Sequence, residues 1–111
     1  MLFPLTDSEQ DALILSLAIS PILCLGESPE DDRYFRFLAD TAAAKIDRRS
    51  FDFNQDELWL MYNSAIGALD ILSGTYRTPL QADILDNLRQ FFFVYNGIVP
   101  KLRSSFSFLA D

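Results

Sequence analysis

Four helix-start signatures punctuate this chain, and their spacing constrains the fold more than any other feature. Thr6 and Glu9 make a Thr-x-x-Glu capping box, in which each side chain accepts a backbone N–H left free by the first helical turn. Ser28-Pro29 places a serine cap before a proline at the first helical position, a strong start. Glu30, Asp31 and Asp32 follow it, setting negative charge against the positive end of the helix dipole. Asn54 and Glu57 repeat the box, with Phe53 placed to staple onto Leu58. Thr78-Pro79 with Gln81 supplies the fourth start.

Stop chemistry matches. Pro21 closes the first segment, Lys45, Arg48 and Arg49 bring cations to the end of the second, and Gly74 and Asn96-Gly97 close the third and fourth. The punctuation predicts helices over about 7–19, 29–46, 55–73 and 79–96. This is an all-α chain, a four-helix bundle or bundle-like fold with antiparallel neighbours, because the connections are short. Residues 98–111 are expected as a short irregular tail. Phe51 and Phe53, and Phe106 and Phe108, alternate with polar residues but over too few positions for a strand. No repeat or long linker divides the chain, so residues 1–111 read as one domain.

Of the 111 residues, 44 are large and apolar, a tight fit for one small core. Projection at 100° per residue shows where they point. In the second helix Tyr34, Phe35, Leu38, Ala42 and Ile46 share a stripe, while Phe37 points well away. In the fourth, Leu80, Ile84, Leu88, Phe91 and Tyr95 align, with Phe93 nearly opposite. The third carries a broad stripe (Leu58, Met61, Tyr62, Ala65, Leu69 and Leu72), with Trp59 and Ile66 on its shoulder. A second stripe runs through Leu60 and Ile71, with Ser64 and Gly67 between them, small enough to let another backbone approach. The first helix is apolar almost all round after Asp11, as a buried helix is. Phe37, Leu60, Ile71 and Phe93 are therefore the candidate contact residues outside the main core.

The chemistry of the chain argues against catalysis. There is no histidine, which removes the commonest general base and metal ligand and excludes the Glu-x-x-His di-iron sites of helix bundles. Glu27/Glu30 and Asp83/Asp86 are the acidic pairs a carboxylate–magnesium site would need. The first straddles a helix start and the second lies on a solvent face. Cys24, between Leu23 and Leu25, reads as a small core residue with no base to activate it. Lys45 and Lys101 are expected to be exposed among charged neighbours. No glycine-rich phosphate loop exists, and no metal or other cofactor is expected.

The formal charge of −7 argues against nucleic acid and anionic membrane surfaces as partners. Five of the nine basic residues fall within 33–49, but at helical spacing from acids that would pair with them. The apolar run 12–25 follows acidic residues and is interrupted by Ser16, Ser20 and Pro21, unlike a secretory signal or a membrane span. A soluble, cytoplasmic protein is expected. The function expected is protein–protein interaction through apolar self-association, with a homodimer as its commonest form. One alternative is an acidic inhibitor or immunity-type protein masking a basic partner. Another is a carboxylate–metal hydrolase using Mg²⁺ or Mn²⁺. A third is an aromatic ligand pocket in the bundle, lined by Phe91, Phe92, Trp59 and Tyr62.

Overall fold

Two of the helix starts form the boxes their sequences specify. In the computed structural model, which describes residues 1–105, Thr6 Oγ1 accepts from the Glu9 N–H at 3.2 Å and Glu9 returns the bond to the Thr6 N–H at 2.9 Å. Helix α1 (Asp7–Ile19) follows. The same reciprocal pair joins Asn54 and Glu57, at 2.8 and 2.9 Å, and opens helix α3 (Gln55–Ser73), which ends at Gly74 in the left-handed conformation. Between them, Ser28 caps helix α2 (Pro29–Asp47) by accepting from the Asp31 N–H at 3.1 Å. Pro21 sits in a 3-10 turn (Ser20–Leu23) that extends α1.

The fourth expected helix requires correction. Thr78 does not cap it. Helix α4 (Ala82–Gln90) begins later, from Gln81, with no side-chain cap bond. Thr78-Pro79 is instead part of the turn that lines a groove with Ile71 and Gly74, since an X-Pro step favours extended or turn backbone equally well. The helix then breaks at Phe91, whose N–H bonds back to Leu88 O at 3.1 Å. Helix α5 (Phe92–Ser105) resumes through Gly97 and Pro100. The expected irregular tail is therefore helical as far as Ser105. Burial of Tyr95, Ile98 and Leu102 outweighs the local breakers, because each places a large side chain in the core. The Phe106/Phe108 alternation lies outside the described residues.

The fold is an all-α helix bundle. Among the described residues it holds five α-helices, rather than four. Strand pairing in that region is a single antiparallel bridge between Leu2 and Asp52, flanked by backbone bonds between Phe3 and Phe51 and between Phe53 and Met1. Helix α3 lies at the centre, against α1, α2, α4 and α5, while α2 touches neither α4 nor α5 among the described residues. The helices form a stack: α2 on one side, α1 and α3 in the middle, α4 and α5 on the other. The radius of gyration is 13.2 Å, close to the roughly 13 Å of a compact chain of this length.

That central position corrects the reading of the second α3 stripe. Leu60 is fully buried, not a surface residue. Ser64 and Gly67 do admit another element, but from the same chain. Ser64 Oγ donates to Ser16 Oγ of α1 at 3.3 Å, and a Cβ on Gly67 would lie 2.5 Å from Leu23 of the 3-10 turn. A helix enclosed on several sides buries more than one stripe. Cys24 also departs from expectation: it is exposed, in the left-handed region at φ 53°.

Candidate interaction surfaces

The buried acids are both structural. Glu57 takes Lys45 Nζ at 2.6 Å and the Asn54 N–H on Oε1, and the Thr41 hydroxyl at 2.8 Å on Oε2. Burial alone would raise its pKa, but these donors outweigh it and hold the carboxyl below the usual glutamate range. Glu9 repeats the arrangement. Burial is opposed by the Thr6 N–H and by Lys101, which reaches back from α5 to Oε2 at 3.1 Å. Each capping-box glutamate is thus tied to a lysine of another helix, and these are the only two lysines in the chain. Tyr95 is fully buried, and its hydroxyl donates to Ala12 O at 2.7 Å. Among the described residues, no three His, Cys, Asp or Glu side chains are grouped so as to hold a metal ion. No helix there is long and apolar enough to cross a membrane.

The four residues expected at the surface are not brought together. Phe37 is 60% exposed on α2 and Phe93 is 84% exposed at the start of α5, on opposite outer layers. Ile71 is partly buried at the edge of an open groove with Tyr76, Arg77, Leu80 and Leu85. With Leu60 inside, a continuous patch through all four does not exist. Phe37 has Arg33, Tyr34, Asp40 and Thr41 as its helix-wheel neighbours, and among the described residues no second phenylalanine is exposed on α2. Scattered exposure of that kind is ordinary.

Phe93 is different, because the break at Phe91 gives it company. Phe92 is also exposed and meets Phe93 edge-to-face, with centroids 5.4 Å apart. On the α1 side of the same corner, Phe91 lines a shallow groove with Asp11, Ile14, Leu15, Ala18 and Asn87. Phe91 lies edge-on to Tyr95, with centroids 6.4 Å apart, and so anchors the corner to the core.

A second surface was hidden in the helix wheels. Tyr34 and Phe35 fall in the core stripe of α2 and Trp59 on the shoulder of α3, yet Tyr34 and Trp59 reach solvent. Phe35 sits between them, 6.3 Å from the Tyr34 ring and 5.2 Å from the Trp59 ring. The Tyr34 hydroxyl donates to Asp56, which raises the Tyr34 pKa. Tyrosine and tryptophan at a stripe's edge are the available signal, since each pairs an apolar body with a polar tip that keeps contact with water. An aromatic pocket in the bundle, expected from Phe91, Phe92, Trp59 and Tyr62, does not form from that set. Phe91 and Phe92 lie at the α4–α5 corner, and Trp59 belongs to the α2–α3 side.

Comparison with family models, with curated proteins and with solved structures gives no match, so these surfaces are read from their own chemistry.

Proposed function

We propose that the chain is a non-catalytic helical interaction module that pairs with a second copy of itself through the Phe92–Phe93 corner. The observation that carries this reading is Phe93, a fully apolar side chain 84% exposed beside a second exposed ring. Aromatic residues are enriched at interface cores and supply much of their energy. A two-fold arrangement would use the same corner on both copies, so that each ring contributes twice. The assignment of no catalytic role is supported by Glu9 and Glu57. The acids buried by the fold are committed to caps and lysines.

Light scattering from low micromolar concentration upward tests the pairing. The expected mass is that of a dimer, with dissociation on dilution and little sensitivity to salt, as apolar contact predicts. Phe93→Asp should give a monomer of unchanged helicity. A monomer mass for the unaltered chain at every concentration would overturn the reading, and steep loss of association with salt would assign it to charged contacts instead.

A further inference from the structure

On the α2–α3 side, Tyr34, Phe35, Leu38, Asp56 and Trp59 line a groove of about 280 Å³. Leu38 is buried, Trp59 is 38% exposed and Tyr34 45%. The Phe35 and Trp59 rings are tilted by 31° and the Tyr34 and Phe35 rings by 42°, so the groove presents three aromatic side chains around a single charged one. Asp56 is that charge. Its Oδ2 accepts from Tyr34, and its other oxygen has lone pairs for a further donor. Glu57, the next residue, points elsewhere, to Lys45 and Thr41. Among the described residues, no lysine or arginine lines the groove.

These features select among guests. An anion would meet Asp56 and the negative faces of the rings. A neutral apolar group would desolvate the carboxylate and leave its second oxygen without a donor. A cation gains from both, because aromatic faces attract positive charge and a carboxylate accepts its N–H bonds. Among side-chain cations, guanidinium is the better fit. It is planar, weakly hydrated and able to stack on a ring while donating along its edge, whereas ammonium is compact and strongly hydrated. The chain's charge of −7 draws basic polypeptides toward it over longer range.

We infer that this groove receives the arginine side chain of a basic polypeptide partner, stacked on Trp59 and hydrogen-bonded to Asp56. It shares no residue with the Phe92–Phe93 corner, so it stands whether or not the chain pairs with itself.

Trp59 is the chain's one tryptophan, and its fluorescence reports on this groove alone. The probe is a glycine- and serine-flanked arginine peptide, titrated at fixed ionic strength beside its citrulline and lysine counterparts. Citrulline keeps the shape of arginine and removes the charge. The arginine peptide should give a saturable change in Trp59 emission, the citrulline peptide none, and the lysine peptide a weaker one. Asp56→Asn is exposed and should fold normally, while weakening arginine binding about threefold, as the loss of one exposed charged contact predicts. Backbone amide NMR shifts should map to the residues around 34–38 and 56–59. Absence of saturable change, an equal response to citrulline or lysine, or undiminished binding by the Asp56→Asn variant would each overturn the assignment.

Discussion

Lys45 and Glu57 form the most enclosed charge pair of the described residues, with Nζ 2.6 Å from Oε1 and the glutamate side chain only 1% exposed. The pair fastens the last turns of α2 to the first turn of α3, since the same Oε1 also accepts the Asn54 N–H. Lys45 Nζ donates further to Asp52 O at 3.0 Å. Removing the lysine leaves a buried carboxylate with only the Thr41 hydroxyl and the Asn54 N–H to offset its desolvation. Lys45→Met should therefore cost about 2 kcal/mol of stability in urea unfolding. Lys101→Met, whose pair with Glu9 is far more solvated, should cost less than about 1 kcal/mol. Equal losses would contradict this account of the two pairs.

Acid should act through the same glutamates. Both Glu57 and Glu9 hold their protons less tightly in the folded chain than in an ordinary glutamate, because lysine and backbone donors outweigh burial. A depressed folded pKa gives stability that is complete above the unfolded value and is lost as pH falls through the folded one. Stability should thus decline below about pH 4. Thermal melts at stepped pH should show a shallower decline for Glu57→Gln, which cannot titrate. An unchanged slope would assign the acid sensitivity to other groups.

At the alkaline end the sign reverses. Burial raises the Tyr95 pKa well above the usual phenol range, so the unfolded chain releases that proton first. Stability should fall above about pH 10, and Tyr95→Phe should remove part of that fall. At neutral pH the same variant should cost about 1 kcal/mol, from loss of the bond to Ala12 O. Melts of the two proteins across pH 7–11 would check both statements at once.

Two helical glycines should respond to alanine with opposite signs. Gly97 is exposed in α5 with open space around its Cβ position, and Gly97→Ala should stabilise by about 0.5–1 kcal/mol through helix propensity. A Cβ on Gly67 would lie 2.5 Å from the Leu23 side chain. The leucine end can move, but only within a packed site, so overpacking should exceed the propensity gain. Gly67→Ala should destabilise by about 1 kcal/mol net. A stabilised Gly67→Ala would show that the 3-10 turn moves aside freely.

Local chemistry made α1, α2 and α3 legible, because each start lies in a short motif whose partners are three residues apart or adjacent. Helices α1 and α3 have the expected bounds of 7–19 and 55–73. The α4–α5 region was not legible. Its passage through Gly97 and Pro100 goes with burial of Tyr95, Ile98 and Leu102 and with contacts to residues more than eighty positions away, Tyr95 with Ala12 and Lys101 with Glu9. Surface residues divided in the same way. Phe37 and Phe93 point outward on their helices and are exposed. Leu60 was misplaced because a wheel shows the direction of a side chain but not what covers it. The Tyr34–Trp59 groove needed two helices to be set side by side before its rings and Asp56 could be seen to converge.

The separation of α2 from α4 and α5 bears on how the molecule could carry a signal. Among the described residues, the two outer layers share no direct helix–helix contact. Any coupling between them has to run through the middle layer, where α1 and α3 meet at Ser16–Ser64 and Leu23 fits against Gly67. Energetic linkage of that kind requires an element with two discrete arrangements. A close-packed middle layer without one would leave binding at one outer face without effect on affinity at the other.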